Sequence, residues 1–463
     1  MLVNSLTFLL FFTIVLLCYF SLLRNHAKAQ NVWLLLGSYF FYGYVSWEMC
    51  GLLALCTIVF YAIGIGIPKL QDKKKYGLTF LGVALGAGLL LYFKYTNFFI
   101  EQLSQLLSLF GLKSNWSSLH ILVPVGISFF TFKLISYVVD VYKGVISPTR
   151  DFVSFALYVS FFPTIMSGPI DRADKFLPQL EKARRWSSLG VLEGCKRILW
   201  GMFLKMCIAD KVSPYTDAVF NNYFHHSGLT IVVASILYTF QIYADFCGYS
   251  EMAIGTAKIL GIQVAENFRR PLFATSMGDF WRRWHMSLMS WLRDYIYIPL
   301  GGSRCSKVKT FRNTLATFLV SGLWHGANWT FIFWGLYHGM LVFFYRFWKK
   351  QSVVHLPKYL AIFVVFIVST IGWMIFRAWD MGHFFGVLSA LGNRGGFFFS
   401  WALVAVLPIA IMLFKELKDE EGWNIHLLHA KKWWAQAIWI AVMMVFVFYV
   451  GELNGAQFIY FQF

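Results

Sequence analysis

The chain has 463 residues, of which 58% are hydrophobic, 20% aromatic and only 13% charged, with a mean hydropathy of +0.60. About a quarter of the residues of an average globular protein are charged, so this composition excludes an ordinary water-soluble domain and predicts a polytopic membrane protein. The 40 Lys and Arg against 22 Asp and Glu give a net charge of +18. The basic residues lie in short segments between apolar runs, which indicates positive-inside topology and excludes a nucleic-acid-binding face.

Apolar runs of about the length that spans a bilayer recur along the whole chain. The strong candidates lie near 5–23, 32–47, 50–67, 78–98, 121–141, 152–168, 229–250, 328–345, 359–379, 398–414 and 433–451. They predict an all-α polytopic bundle of about eleven spans, with additional re-entrant or interfacial helices. Because we detect no repeat, low-complexity tract or soluble domain, the prediction is a single integral-membrane domain over 1–463.

The order of the basic segments predicts the topology. Arg24 with Lys28, and the lysines of 69–75, place the first two connections in the cytosol and the N-terminus outside. The segments 142–151 and 172–197 are both basic, so the apolar run 152–168 between them is predicted to dip in and return. The same reasoning makes 313–345 a hairpin or bent pair, and both termini are then extracytoplasmic. The first apolar run lacks the flanks of a signal peptide and is read as a retained span.

The most polar region, 264–312, contains a helix-start signal. Ser276 and Asp279 match a capping box, which predicts one helix from near Met277 to a point before Pro299. On such a helix one face would carry Trp281, His285 and Leu288. Asp279 would pair with one of the arginines that follow it by three and four residues.

The same region is strongly basic, with nine Lys or Arg against three acidic residues. One interpretation is an interfacial layer that anchors to anionic lipid. The other is that Arg282 and Arg283 hold the phosphates of an acyl donor such as coenzyme A. The seven cysteines have no CxxC spacing, and there is no His-Glu-x-x-His pattern, so the sequence predicts no metal site and no bound cofactor.

His325 is the first candidate for chemistry, because an ionisable group inside an apolar run marks a functional site by default. A neutral imidazole accepts a proton from an attacking hydroxyl, and Gly322 and Gly326 are expected to leave room for a ligand. The plainer interpretation is that His325 satisfies a buried carbonyl, and for His285 that it is an interfacial anchor. His338, on the following run, is expected to be structural.

Several long motifs, densest from about 240 to 345, resemble the membrane-bound O-acyltransferase family, and most of all its bacterial alginate O-acetyltransferase branch. They are Tyr243–Ser250, Glu266–Pro271, Asp279–Leu288, Trp291–Gly302 and Gly322–Trp329, and the C-terminal Phe458–Phe463 is similar as well.

This resemblance implies a helical bundle around a central tunnel, with His325 and His285 as the catalytic histidines. Acetyl-CoA from the cytosol is the implied acyl donor, and the location is the bacterial inner membrane. An extracytoplasmic SGNH-type partner acyltransferase is implied to finish the transfer to polysaccharide hydroxyls. His285 would orient the hydroxyl, polarise the thioester or relay the proton. The candidate tunnel-lining, substrate-binding residues are Tyr243, Asp245, Tyr249, Trp281, Trp324 and Asn328. For Tyr243, Asp245 and Tyr249 helix-to-helix hydrogen bonding is an equal alternative.

Two other functions stay open at this point. The sister branch transfers D-alanine to teichoic acid from a carrier protein, and the Tyr297–Gly302 and Ala327–Trp329 stretches favour the acetyl branch instead. A polysaccharide or lipid transporter would also place polar residues in the membrane, but no inverted repeat is visible. The acceptor glycan, whether alginate, cellulose, peptidoglycan or a capsular polymer, is not specified by the sequence.

Overall fold

A computed structural model describes residues 1, 3–112, 119, 121–351 (backbone alone for 348–351), 356–398, 404–423, 433–452, 455 and 458. These residues form helices and connecting turns, and no strand occurs among them. The chain divides into two compact units, the first made of 1–195 with 253–265, and the second of 196–252 with 266–463. The expectation of a single domain stays a prediction.

The first unit is built from the N-terminal helices. They are α1 (Leu6–Leu17), α2 (Ala27–Gly43), α3 (Trp47–Gly66), α4 (Asp72–Leu90), α5 (Thr96–Leu109), α6 (Ile127–Lys143), α7 (Phe152–Ser160), α8 (Ala173–Phe176) and the first half of α9 (Ser188–Met202). The helix α7 has nine residues and ends in turns that run to 168. Nine residues extend about 14 Å, well short of the roughly 30 Å hydrocarbon core, so this helix does not cross by itself, as the expected dip requires.

The second unit contains the helices that follow. They are the second half of α9, α10 (Asp210–Asn221), α11 (Gly228–Ile259, whose residues from 253 on belong to the first unit), α12 (Met277–Arg283), α13 (Met286–Leu292), α14 (Lys307–His325), α15 (Trp329–Gln351), α16 (Lys358–Arg377), α17 (Met381–Ala390), α18 (Val406–Glu421) and α19 (Trp433–Val445). Its core is rich in aromatic rings, which pack from α10, α11, α12, α15 and α16.

Short π or 3-10 turns extend or join several helices. They are Cys18–Leu22, Ile67–Lys69, Leu91–Tyr95, Leu177–Leu180, Phe203–Ala209, Tyr223–His225, Pro271–Phe273, Arg293–Tyr297 and Phe446–Val450.

Among the described residues, five helical stretches are long and apolar enough to cross a bilayer, which makes this an all-α, multi-pass membrane protein. They are Trp47–Lys69, Asp72–Leu109, Gly228–Ile259, Lys358–Arg377 and Trp433–Val450. The expected total of about eleven spans stays a prediction, and part of the expected span 398–414 lies outside the described residues.

The predicted hairpin at 313–345 is confirmed as a pair of packed helices, α14 and α15, which are separated by residues 326–328. Close approach of the two backbones depends on glycines. A Cβ atom at Gly322 would lie 2.2 Å from the carbonyl oxygen of Phe331, and one at Gly335 would lie 2.5 Å from that of Phe318. The hairpin therefore fixes His325, the last residue of α14, at its turn.

Candidate active site

The start of α12 agrees with the sequence. Ser276 Oγ accepts the backbone N–H of Asp279 at 3.1 Å, as a capping residue does. The carboxylate of Asp279 then pairs with both of the following arginines, at 3.3 Å to Arg282 and 3.0 Å to Arg283. The predicted acid–arginine pairing is confirmed for both partners.

The expectation of one continuous helix from Met277 to before Pro299 is wrong. The helix α12 ends at Arg283, Trp284 is extended, and His285 has φ 44° and ψ 52°, the left-handed conformation. The cause is tertiary, because the segment 267–269 hydrogen-bonds to this stretch through Arg269 N–H to Arg283 O and Met286 N–H to Asn267 O, both at 2.9 Å. Trp281, His285 and Leu288 are therefore not placed by one helical face.

The side chain of His285 is 1% exposed, and its orientation is set by Asn267. Its Nδ1 lies 3.3 Å from Asn267 Oδ1, which also accepts the hydroxyl of Ser287 at 2.6 Å and the backbone N–H of Ser287 at 3.4 Å. Because that backbone N–H can only donate, the Asn267 atom is an acceptor and Nδ1 of His285 carries the proton. Nε2 is then the acceptor nitrogen of the neutral ring.

His285 lies outside the five candidate spans, and its burial lowers the pKa of the imidazole from 6.5 to about 3. A charged imidazolium loses hydration on burial, and the neutral form is favoured. At neutral pH His285 is therefore a neutral hydrogen-bond acceptor.

His325 is 6% exposed and lies among aromatic rings. Its ring centroid is 5.2 Å from those of Trp334 and Phe376, and 5.0 Å from that of Trp324. Trp324 also contacts His285, at 5.7 Å. The structure thus brings the two predicted catalytic histidines to the same indole, although His285 precedes α13 and His325 ends α14.

The glycines beside His325 do not leave space for a ligand, and that expectation is wrong. A Cβ at Gly326 would lie 2.4 Å from the ring of Phe331, and the space at Gly322 is taken by the backbone of the same residue. These glycines serve the packing of α14 against α15.

The three polar residues of α11 make buried side-chain contacts. The hydroxyl of Tyr243 donates to Glu416, and Asp245 pairs with Lys205 at 2.7 Å. The ring of Tyr249 packs edge-on against Phe458 at 4.7 Å. For Tyr243 and Asp245 this is the hydrogen bonding that the sequence left open, and a role in a tunnel stays a prediction.

Asn328 begins α15. Its Oδ1 accepts the backbone N–H of Thr330 at 3.0 Å, and its Nδ2 donates to the carbonyl of Trp379. Its observed contacts therefore fix the hairpin turn after His325.

A cavity of about 410 Å³ lies beside α12 and carries three arginines, Arg282, Arg293 and Arg346. The remainder of its wall mixes apolar, hydroxyl and aromatic groups: Gly278, Trp281, Met286, Met289, Ser290, Tyr297, Thr314, Thr317, Phe318 and Val342. Of the two arginines expected to bind donor phosphates, Arg282 lines this cavity. Arg283 hydrogen-bonds Glu420 at 2.9 Å instead.

Sequence reasoning missed Asn267, Arg346 and Glu420 as site residues. Asn267 belongs to the Glu266–Pro271 motif, and an amide close to Arg269 and Arg270 is a signal that could have identified it. Arg346 and Glu420 come from α15 and α18, and no local pattern connects them with 282–293.

Comparisons with known proteins give the family of the chain. The profile of the membrane-bound O-acyltransferase family matches residues 144–379, a range that contains both histidines and the whole cavity wall. A probable alginate O-acetylase of Azotobacter vinelandii is 38% identical over 375 residues, 80% of this chain and 74% of that protein. A peptidoglycan O-acetyltransferase of Helicobacter pylori is 32% identical over 410 residues, 81% and 77% of the two chains.

A teichoic acid D-alanyltransferase of Bacillus subtilis is more distant, with 28% identity over 359 residues, 73% of this chain and 88% of that protein. The matched proteins share an acyl-transfer activity and differ in the polymer that their names give. The chain belongs to the membrane-bound O-acyltransferase family and is an O-acyltransferase.

Proposed function

We propose that this O-acyltransferase moves an acetyl group from cytosolic acetyl-CoA across the membrane for the O-acetylation of an exported or cell-envelope polysaccharide. The observation that carries the proposal is the arginine-lined cavity, because its wall also contains Trp281, one ring away from Trp334, which contacts His325.

The cavity suits the donor on both counts of charge and shape. The wall supplies the guanidinium groups of Arg282, Arg293 and Arg346. One guanidinium group can donate two parallel hydrogen bonds to the oxygens of one phosphate. Methionines and aromatic rings beside them suit the apolar pantetheine arm. The volume of about 410 Å³ is in the range of small-molecule sites.

The two histidines take different parts in the reaction. His325 accepts the proton of an acceptor hydroxyl while the hydroxyl oxygen forms a bond to the acetyl carbon. The bond from that carbon to sulfur then breaks, and the departing thiolate takes the proton from His325. His285, neutral with Nε2 as acceptor, orients the hydroxyl, and Asn267 holds the ring.

Acetyl transfer is favoured over D-alanyl transfer by the relatives, since identity is 38% to the alginate O-acetylase and 28% to the D-alanyltransferase. The acceptor polymer differs between the alginate and peptidoglycan relatives. We therefore propose that an extracytoplasmic SGNH-type partner completes the transfer and selects the glycan.

The test uses membrane vesicles that contain the full chain, given [14C]acetyl-CoA, with base-labile label in the glycan as the readout. His325→Ala should lower transfer at least about 100-fold, the usual contribution of a general base. The matched control is His225→Ala, an exposed histidine that should keep wild-type transfer. Equal rates for wild type and His325→Ala would remove the proposed base. If the vesicles transfer an acyl group only from a D-alanyl carrier-protein thioester, acetyl-CoA is not the donor.

The partner and the topology have separate tests. A strain without the SGNH-type partner should lose O-acetyl groups from its envelope glycan while its vesicles still consume acetyl-CoA. Epitopes placed at both ends of the chain should be cleaved by protease in intact spheroplasts, because both termini are proposed to be extracytoplasmic.

A further inference from the structure

Three buried rings in contact form a cluster beside the cavity. Trp281 comes from α12, and Trp334 and His338 lie one turn apart on α15. Their ring centroids are 5.5 Å apart for the two indoles, and 5.0 Å and 4.9 Å from His338 to Trp281 and Trp334. The three side chains are 5%, 1% and 0% exposed. We call them the three-ring cluster.

The cluster has polar atoms that find no hydrogen-bond partner in the described part of the chain. Nε1 of Trp281, Nε1 of Trp334 and both ring nitrogens of His338 are buried and lack a hydrogen-bond partner among the residues that the structure describes. Buried indole and imidazole nitrogens usually have a partner, because an unmade hydrogen bond is costly in a dry interior. Four such atoms on three touching rings indicate a partner other than the residues that the structure describes.

The chemistry of the nitrogens restricts that partner. An indole Nε1–H only donates, and a neutral imidazole has one donor nitrogen and one acceptor. The three rings thus supply three donors, and the partner of a donor is an acceptor such as oxygen. A carbonyl oxygen or an ordered water both have this character, and a cation does not.

The position of the cluster favours a carbonyl. Trp281 forms part of the wall of the arginine-lined cavity, and Trp334 contacts the ring of His325 at 5.2 Å. The cluster thus lies between the proposed donor site and the proposed base.

We propose that the three-ring cluster binds the carbonyl oxygen of the acyl thioester and stabilises the oxyanion of the transfer step. This proposal rests on the proposed acetyl transfer and assigns a function to His338, which the sequence suggested to be structural.

The step balances without a further reactant. When the hydroxyl oxygen bonds to the acetyl carbon and its proton passes to His325, the carbonyl electron pair moves onto the oxygen. The N–H groups of the cluster hydrogen-bond that oxygen more strongly as its charge grows. The carbonyl then re-forms, the carbon–sulfur bond breaks, and the thiolate takes the proton from His325. The cluster gains and loses no proton.

The first experiment removes single donors while it keeps the rings. Trp281→Phe and Trp334→Phe are assayed in proteoliposomes with acetyl-CoA, and kcat and KM are determined separately. Loss of one oxyanion donor in an enzyme lowers kcat about 100- to 1000-fold, and with the remaining donors still in place we expect a fall of at least about tenfold. KM for acetyl-CoA should change less than about fivefold. Trp373→Phe, a buried indole 6.2 Å from Trp334, is the matched control and should stay within about twofold of wild type.

His338 provides an independent variant. His338→Gln keeps a donor at this position and should retain more of kcat than His338→Leu, which has none. Elution profile and unfolding temperature in detergent establish that each variant is folded. Wild-type kcat in both Trp→Phe variants, or a rise in KM alone, would overturn the proposal.

A second measurement separates a carbonyl from an ordered water. Wild type should bind the unreactive ketone analogue acetonyl-dethio-CoA several-fold more tightly than S-ethyl-CoA, which has no carbonyl, and Trp334→Phe should lose this preference. Equal binding of both analogues by wild type means that the cluster holds water, and the proposal is then wrong. If wild type transfers no acetyl group from acetyl-CoA, the proposed function fails first, and this inference fails with it.

Discussion

Arg270 and His285 share an unusual backbone conformation. Their φ angles are 48° and 44°, and they are the two non-glycine residues with positive φ in the described part of the chain. This conformation costs about 1–2 kcal/mol for an L-residue, so surrounding contacts must hold it. One of these contacts is Glu420, whose Oε2 accepts from Arg270 at 2.8 Å and from Arg283 at 2.9 Å.

The first prediction concerns this carboxylate. Glu420→Gln removes the negative charge from the two hydrogen bonds that Arg270 and Arg283 donate to this side chain. We expect the free energy of unfolding to fall by about 2 kcal/mol. We expect kcat to fall as well, because His285 follows Arg283 by two residues. The measurements are unfolding in detergent and acyl transfer by the same preparation.

The control for this prediction is the adjacent residue. Glu421→Gln removes the charge from a pair with Lys358, a side chain that is 43% exposed, and should change the free energy of unfolding much less than Glu420→Gln does. If Glu420→Gln and Glu421→Gln lower the free energy of unfolding equally, Glu420 does not hold Arg270 and Arg283 in place.

The stability contributed by Glu420 and its two arginines should depend on pH in one direction. Burial alone would raise the pKa of Glu420, but the hydrogen bonds from Arg270 and Arg283 outweigh it and lower the pKa below 4.5. The unfolded chain then binds more protons than the folded one near and below pH 4.5, so the contribution is full above that pH. It is lost as pH falls through the lowered pKa. Wild type and Glu420→Gln should therefore differ in unfolding temperature at pH 7 and converge in acid, and a difference that persists in acid would contradict this.

Local signals in the sequence predicted the start of α12 and the break after His325. Ser276 with Asp279 is a complete capping signal. Gly326, next to His325 within an apolar run, marks the position where the helix ends. The left-handed His285 was beyond such reasoning, because it follows from hydrogen bonds between 267–269 and 283–286. The residue pattern over 277–298 does not show that the segment 267–269 hydrogen-bonds to 283–286.

The error at Gly322 has a similar origin. A glycine next to a candidate base is equally compatible with an approaching ligand and an approaching helix. Only the position of Phe331 on α15 decides between them. The cavity wall shows the same limit, because Arg346 of α15 donates to the hydroxyl of Tyr297 and lines the same cavity as Arg293 only in the folded chain.

A second prediction addresses the ring of His285. Asn267→Ala removes the oxygen that accepts from Nδ1 and from Ser287. The tautomer is then no longer fixed, and we expect kcat to fall at least about tenfold with little change in KM for the donor. Asn267→Asp keeps the acceptor oxygens and should retain more activity than Asn267→Ala. A larger effect on KM than on kcat would assign Asn267 to donor binding instead.

A third prediction concerns the donor cavity. Arg293→Ala and Arg346→Ala should each raise KM for acetyl-CoA by about tenfold, because a hydrogen bond to a charged group contributes roughly 1.5–3 kcal/mol. The rise should shrink for a short donor without the nucleotide, such as S-acetyl-pantetheine. Arg304→Ala, an exposed arginine of the same basic region that does not line the cavity, is the control and should keep its KM. Equal losses with acetyl-CoA and S-acetyl-pantetheine would show that the arginines do not bind the nucleotide phosphates.

The last prediction tests the hairpin that carries His325. At Gly322 an alanine Cβ would lie 2.2 Å from the carbonyl oxygen of Phe331, a distance that only a backbone shift relieves. Overpacking of this kind costs about 1–3 kcal/mol, and the shift occurs three residues before the proposed base. We expect Gly322→Ala to lower both the unfolding temperature and kcat. At Gly88, in α4, an added Cβ meets nothing within 4 Å, so Gly88→Ala should leave the unfolding temperature unchanged or slightly raised. Because both variants add one methyl group to an apolar helix, a normal Gly322→Ala protein would mean that the close approach of α14 and α15 does not set the position of His325.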